Sequence, residues 1–472
     1  MPVDSVASPR QLPGACPFGV PGFFPLKSLF SFARLFFACL AIAFLSACMD
    51  GGDACTKPVV RFAVVADPHL YDTSLGTSGA DYAAYLARDA KMLAQSETLF
   101  EHTVQAIVQK SQPPEFVIIP GDLTKDGAAA SHQRMAACLE TLELEGVEVY
   151  VVPGNHDVAN PEAAAYANEG ATQVYSPGPE EFAEIYRSFG YAQAIARDAH
   201  SLSYVAEPIP GFWLFAIDSC RYRENTDSPV VGGRLSAETL QWILENLFEA
   251  RESRKTVVGM MHHGLVEHLA GQGRYLPDFL LADWATVART LAAAGMNVVF
   301  TGHYHTQNIT SRQWDDGVQL LEIQTGSLLV FPCPYRIVSL DGCASEIEVK
   351  SHFIEELPES AYPAGFDSFA GFAREFSRTH THQRMQQELK ILLNLPDSQV
   401  QAFAPLVTEA VMDHFAGDEQ PGWEDFSRAL ELAASRDPNL SQIGLLLLSL
   451  YNDLPPADNH TKQGQPFNLK RF

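Results

Sequence analysis

Positive charge is what this chain has least of. Its 32 lysines and arginines stand against 57 aspartates and glutamates, a formal net charge of −25 over 472 residues. A non-specific nucleic-acid binder normally presents a basic surface, so that class is excluded and no nucleic-acid partner is expected. Long apolar runs are missing too. Between Arg34 and Asp50 there is too little apolar length to span a bilayer, and Leu445-Leu446-Leu447-Leu448 is far shorter and reads as core. No internal repeat and no low-complexity tract follow the amino-terminal segment. The apolar fraction of 46% nevertheless belongs to a globular protein and excludes a disordered one. The length suggests two domains, with ample chain for a sizeable core.

At the amino terminus, Lys27 and Arg34 precede the apolar run Leu35 to Phe44, and Leu45-Ser46-Ala47-Cys48 follows. A basic flank, a short apolar segment and small residues before the break form a secretory signal over residues 1–47. A short anchor helix left in place is the other reading. The tetrad resembles a bacterial lipoprotein processing site. That resemblance implies that Cys48 becomes the lipidated first residue, that 48–57 is a linker, and that the product is exported. It would then sit in the periplasm or elsewhere in the bacterial cell envelope, membrane-anchored by its lipid. Once Cys16 and Cys39 leave and Cys48 carries lipid, Cys55, Cys138, Cys220, Cys333 and Cys343 remain, too odd a number for complete pairing. Cys333 and Cys343 flank a strand-like run and are placed to bridge in an oxidising compartment, or to stay as buried thiols.

The most informative stretch is Val149 to Asp157, Val-Tyr-Val-Val-Pro-Gly-Asn-His-Asp. A β-branched run closed by Pro153-Gly154 reads as a buried central strand that then presents an amide, an imidazole and a carboxylate. The same event recurs. Apolar runs end at Asp67-Pro68-His69, at Gly121-Asp122, at His262-His263 and at Gly302-His303-Tyr304-His305. Strand carboxyl ends are where open α/β sheets place ligands, so these ends share a rim.

Around them, strands are expected at Val59–Ala66, Phe116–Ile119, Gly211–Ile217, Thr256–Met261, Met296–Phe300, Gln319–Ile323, Leu328–Phe331, Tyr335–Leu340 and Glu346–Val349. Helices are expected at Ala83–Lys110, Ser131–Leu144, Glu180–Phe189, Ser236–Arg251 and Val287–Ala294, with a loop from Leu265 to Ala282. This alternation is the pattern of a layered α/β domain, here 58–351. Beyond His352 the pattern turns helical, at Asp367–Leu395, 397–415, Trp423–Ala434 and Leu440–Tyr451, so 352–472 is read as a helical C-terminal region. The last dozen residues are polar and expected to be loose.

Asp67, His69, Asp122, Asn155, His262, His303 and His305 offer carboxylate and amide oxygen and imidazole nitrogen without thiolate, a donor set for zinc, manganese or iron. Seven donors are too many for one tetrahedral ion and fit two ions sharing a carboxylate. In a strand, residues two apart share a face, so Asp67 and His69 are expected to grip one ion together. The chain is turning at His303-Tyr304-His305, which lets those two imidazoles part.

Asp-x-His, Gly-Asp, Gly-Asn-His-Asp, a strand-end His and Gly-His-x-His, in this order from Val59 to Lys350, resemble the calcineurin-like metallophosphoesterase family. Met260 to His263 and the loop after them are similar to its bacterial cyclic-nucleotide-phosphodiesterase-like branch. The resemblance implies a four-layer α/β/β/α sandwich and two divalent ions, Mn, Fe or Zn. Asp67, His69 and His305 would hold one ion and Asn155, His262 and His303 the other, with Asp122 bridging. It implies His262 rather than His263, although Gly264 stands where proline often follows. Lys125 replaces the tyrosine of iron-tyrosinate relatives.

The implied function is a hydrolase of phosphate esters, most of all a phosphodiesterase acting on a small phosphate ester with a metal-activated water. His156 would protonate the leaving group and Asp157 would orient its imidazole. A phosphomonoesterase or nucleotidase, and a surface-anchored non-catalytic binding protein on the same scaffold, are the alternatives.

Overall fold

The computed structural model describes residues 59–463, apart from 168–169, 342–345, 418 and 453. The expected signal, linker and lipidated Cys48, together with Cys55 and Cys343, lie outside the described residues, so the expected Cys333–Cys343 pairing does too.

In chain order the strands are β1 (Val59–Val64), β2 (Phe116–Pro120), β3 (Glu148–Val152), β4 (Ala164–Ala167), β5 (Gly170–Gln173), β6 (Ala194–Arg197), β7 (Tyr204–Ile209), β8 (Phe212–Ile217), β9 (Thr256–Met261), β10 (Val298–Thr301), β11 (Asn308–Gln313), β12 (Gln319–Gln324), β13 (Pro334–Asp341), β14 (Glu346–Phe353) and β15 (His460–Gln463). The helices are α1 (Ala80–Arg88), α2 (Ser96–Val108), α3 (Ala129–Leu144), α4 (Pro179–Ile185), α5 (Ala237–Glu252), α6 (Gln272–Tyr275), α7 (Trp284–Ala294), α8 (Phe369–Leu392), α9 (Asp397–Ala416), α10 (Trp423–Ala433) and α11 (Pro438–Leu450).

One sheet runs β15-β14-β13-β1-β2-β3 and the other β11-β12-β10-β9-β8-β7-β6, with β4-β5 a separate hairpin. Their inner faces meet through aromatic rings. Phe62 stacks on Phe116 at 5.0 Å and meets Phe300 edge-on at 5.2 Å, while Phe212 lies 5.8 Å from Phe116. Each such pair adds roughly 0.5–1.5 kcal/mol beyond the area it buries. The apolar stripes of α2 and α3 join that core from the side of the first sheet, through Leu99, Phe100, Met135 and Leu139. On the second sheet's outer face, Ile243 and Leu247 of α5 and Val287 and Leu291 of α7 pack with Phe215 and Val299. The result is the expected α/β/β/α order of layers, followed by the helical region α8–α11.

Strands β1, β2 and β3 are parallel in one sheet, as are β8, β9, β10 and β12 in the other. Val64 pairs with Ile118, Pro120 with Val152 and Met260 with Phe300, so the carboxyl ends of these strands come level. That register makes the shared rim.

Several expectations are corrected. The β3 strand is not central but ends its sheet. The helix expected over Ala83–Lys110 is two, because the chain turns at 89–95 and docks Met92 on the carbonyl of Leu329. Leu328–Phe331 forms turns rather than a strand, and the helix at Glu180 stops at Ile185 before Gly190 (φ +113°). Residues 460–463 are not loose: β15 pairs antiparallel with β14, from Ile347↔Gln463 to Lys350↔His460. The described residues from 59 to 463 fall in one compact unit. Among the described residues no helix is long and apolar enough to cross a membrane.

Candidate metal centre

The seven ligand candidates lie beyond strand ends, and five of them sit on backbone that most side chains avoid. Asp67 (φ 47°), His69 (38°), Asp122 (48°), His303 (71°) and His305 (62°) are five of the ten non-glycine residues with positive φ among those described. Positive φ costs an L-residue about 1–3 kcal/mol and persists where surrounding structure enforces it, often at functional sites. The strand does not continue through Asp67-Pro68-His69, so the expected same-face rule is not what brings the two side chains together. The left-handed turns do. Two motif glycines serve close approach. A Cβ on Gly154 would collide with Asp122 Oδ1, and one on Gly302 with Asp67 Oδ2.

The side chains converge in two sets, Asp67–His69–Asp122–His305 and Asp122–His262–His303, with ligand atoms in each set within 4.8 Å of one another. Asp122 belongs to both. Its Oδ2 lies 3.5 Å from His69 Nε2 and 3.4 Å from His262 Nε2, and His305 Nε2 lies 3.6 Å from Asp67 Oδ1. Asn155 Oδ1 reaches the second set, 3.0 Å from His262 Nε2. His303 and His305 thus part, one to each set.

The tautomers are fixed from outside. His262 Nδ1–H donates to the Pro120 carbonyl and His303 Nε2–H to that of Asp278, both at 3.0 Å. Each ring is left to turn its other nitrogen inward, as metal-bound histidines do. His263 is spent elsewhere, on the Ser219 hydroxyl and the Val231 carbonyl at 2.8 Å each.

The donors fit divalent cations. His69 and His305 point Nε2 at Nε2 across 3.1 Å, and His69 Nδ1 is buried without a partner. Two imidazole nitrogens brought this close among carboxylates are placed to share one cation. The charges agree. Burial opposes ionisation of Asp122, yet His262, His156 and His69 hold its carboxyl well below the usual range. Burial lowers His262, but Asp122 outweighs it and pushes the imidazole up to about 9. Burial drives His69 and His303 well below the ordinary histidine value. His69 and His303 are thus neutral imidazoles beside an ionised Asp122, the protonation state that metal binding needs, whereas His262 would give up its proton to a cation.

His156 stands beside the first set, its ring edge-on to His69 at 5.0 Å and its side chain 21% exposed. Its Nδ1 bonds Asp126 Oδ1 at 2.8 Å, which leaves Nε2 facing the site. This corrects the role expected of Asp157. That carboxylate does not touch the His156 ring. It accepts from the amides of Gly154, Leu123 and Thr124 and from the Thr124 hydroxyl at 2.8–3.0 Å, tying the loop after β3 to the loop after β2. Burial and Asp122 push its carboxyl up to about 6 against those bonds. Asp126 was not singled out from sequence. The available signal was a carboxylate four residues past Asp122, before the left-handed Gly127. Lys125 occupies the tyrosinate position, turned away into a pocket where its ammonium pairs with Asp126, bonds Tyr166 OH at 3.1 Å and lies 3.8 Å from the Tyr85 ring.

A two-sheet sandwich whose strand ends gather two His/Asp sets around one shared carboxylate defines a dinuclear metallophosphoesterase. The calcineurin-like phosphoesterase family model matches residues 60–307, and the chain belongs to that family. It is 26% identical over 154 residues to a probable cyclic nucleotide phosphodiesterase of Synechococcus, across 33% of this chain and 44% of that one. It is 23% identical over 258 residues to a 3',5'-cyclic adenosine monophosphate phosphodiesterase of Vibrio vulnificus, across 54% of this chain and 72% of that one. The chain thus spans under half the length of the first relative. Among solved structures, a dimetal phosphatase from Danio rerio is similar with a TM-score of 0.44 and 16% identity, covering 63% of this chain and 97% of that one.

Proposed function

We propose that the chain is a metal-dependent phosphodiesterase, exported and held to a bacterial envelope membrane by lipid on Cys48. The observation that carries the catalytic part is one carboxylate, Asp122, common to two ligand sets, with the free Nε2 of His156 beside it. The phosphodiester preference is supported by the two relatives named as cyclic nucleotide phosphodiesterases. The anchor is supported by the basic-flanked apolar run that ends at Leu45-Ser46-Ala47-Cys48.

Asp67, His69 and His305 would hold one ion, Asn155, His262 and His303 the other, and Asp122 both. When bound, such a pair of cations neutralises phosphoryl oxygens and activates water for in-line attack. The protein's own part is proton handling and order. His156 Nε2–H gives its proton to the leaving alkoxide, and the Asp126 carboxylate at Nδ1 stabilises the imidazolium before transfer. Burial and Lys91 lower the His156 imidazole, but Asp122 and Asp126 outweigh them and raise it, as suits an acid. Asp157 keeps the β2 and β3 loops in register so that Asp122 and His156 meet.

The test is turnover of bis(p-nitrophenyl) phosphate, p-nitrophenyl phosphate, cyclic nucleotides, nucleotides and glycerophosphodiesters with manganese, zinc or iron. Faster hydrolysis of diesters is expected. Preference for monoesters would make it a phosphomonoesterase, and a protein that takes up no metal and turns nothing over would be a binding protein. Acylation of the wild type but not of Cys48→Ala, read by mass spectrometry of the membrane fraction, tests the anchor.

A further inference from the structure

Lys125, at the tyrosinate position in the loop after β2, has no part in the chemistry described so far. It is 1% exposed, and its ammonium pairs with Asp126. One carboxylate therefore serves two partners, Oδ2 accepting from the ammonium and Oδ1 lying 2.8 Å from His156 Nδ1. The three groups form a chain of direct contacts that ends at the candidate acid.

Two elements that carry no ligand candidate hold the ammonium in place. The Tyr166 hydroxyl of β4 accepts from it at 3.1 Å, and the Tyr85 ring of α1 lies 3.8 Å away with its π face available to the cation. A buried ammonium is costly unless its three donors are used, and here a carboxylate, a phenol oxygen and an aromatic ring receive them. The consequence falls on Asp126. An aspartate carboxyl turns easily about its last torsion. Bonded to His156 alone, it is free to swing and to carry the imidazole with it. With Oδ2 pinned it is not, and His156 Nε2 is kept on the side of the ligand sets, 3.9 Å from Asp122 Oδ2.

We propose that Lys125 is a positioning residue for hydrolysis: its ammonium fixes the Asp126 carboxylate and, through it, the direction in which His156 presents its proton. This rests on the phosphohydrolase reading above. Because Lys125 acts through Asp126, its loss is felt where a leaving group needs a proton and little where it departs unaided. A residue that only held the fold together would affect both kinds of ester alike.

The test compares two diesters in manganese-loaded wild type and Lys125→Met: diphenyl phosphate, whose phenolate leaves poorly without a proton, and bis(p-nitrophenyl) phosphate, whose p-nitrophenolate leaves well. Beside it, NMR of the zinc-loaded proteins with isotope-labelled histidine nitrogens follows the His156 Nδ1–H signal, assigned by its absence from His156→Ala. Lys125→Met is expected to bind metal as the wild type does and to lose about tenfold more kcat on diphenyl phosphate than on bis(p-nitrophenyl) phosphate, with KM within about twofold on both. Its Nδ1–H signal is expected to broaden or vanish. Equal losses of kcat on the two esters, or an unchanged Nδ1–H signal, overturn the proposal. Where Lys125→Met does not fold, Lys125→Gln, which leaves an amide in the Tyr85–Tyr166 pocket but is one atom too short to hold Asp126, takes its place with the same outcomes. If the wild type hydrolyses neither ester, the phosphohydrolase reading fails, and the Nδ1–H signal alone decides whether Lys125 fixes His156.

Discussion

At the residue scale, two neighbouring carboxylates do different work. Asp126 holds the catalytic imidazole from one side, whereas Asp157 spends all its acceptors on the loops after β2 and β3. Asp126→Asn is therefore expected to lower kcat about 100-fold and also to lower the melting temperature, because it strips the buried Lys125 ammonium of its carboxylate. Asp157→Asn should cost about 2–3 kcal/mol of stability, since an amide cannot accept from every amide that the carboxylate serves. The kcat of the folded variants separates them, and a loss of kcat in Asp157→Asn as large as in Asp126→Asn would refute the division. His156→Ala is expected to keep its metal and lose most turnover. The ligand residues were legible in the sequence because each follows an apolar run directly. Asp126 was not, because adjacency pointed to Asp157, and only the turn through Lys125 and Gly127 brings the other carboxylate round to Nδ1.

At the scale of elements, what matters is where strands stop. The runs that end in Asp67, Asp122, Asn155, His262 and His303 were legible because buried parallel strands are continuous apolar runs bounded by turn residues. The strands β11 (Asn-Ile-Thr-Ser-Arg-Gln) and β15 (His-Thr-Lys-Gln) were not, being polar edge segments held by their neighbours' backbone. Gly302→Ala tests strand-end geometry. Its new methyl would displace the Asp67 carboxylate, and loss of metal from an otherwise folded protein is the expected result.

The segment from Leu265 to Ala282, expected as a loop, carries the short α6 and is fixed by a buried pair. His268 Nδ1 bonds Asn308 Oδ1 at 2.8 Å and its Nε2 faces Glu322 Oε1 at 3.2 Å, while Glu322 Oε2 accepts the amides of Leu265 and Val266. Burial lowers the His268 imidazole, but Glu322, with help from Asn308 and Asp458, outweighs it and raises it. A raised folded value means stability fully present below the unfolded value of about 6.5 and lost as pH climbs through the folded value. His268→Gln should flatten that decline in melting temperature. An unchanged slope above pH 6.5 would contradict the charged pair.

At the scale of the whole molecule, the helical region is part of the same body as the sandwich. Gln307 N–H donates to the Phe415 carbonyl, Ile309 N–H to Asp458, and the Ser449 hydroxyl to the Ala270 carbonyl. Tyr304, between the two imidazoles of the Gly-His-x-His turn, packs against Phe279 and His414. The helices therefore buttress the turn that carries His303 and His305. A chain cut after Phe353 is expected to lose its cooperative thermal transition, and a wild-type-like melt would show the sandwich to be self-sufficient.

Above all of this stands the pair of cations joined by Asp122. The most direct measurement is metal per chain, by mass spectrometry of protein reconstituted with manganese, zinc or iron and then desalted. Two ions per wild-type chain and at most one in Asp122→Asn are expected. Saturation of the wild type at one ion, or two ions retained by Asp122→Asn, would contradict a shared bridging carboxylate.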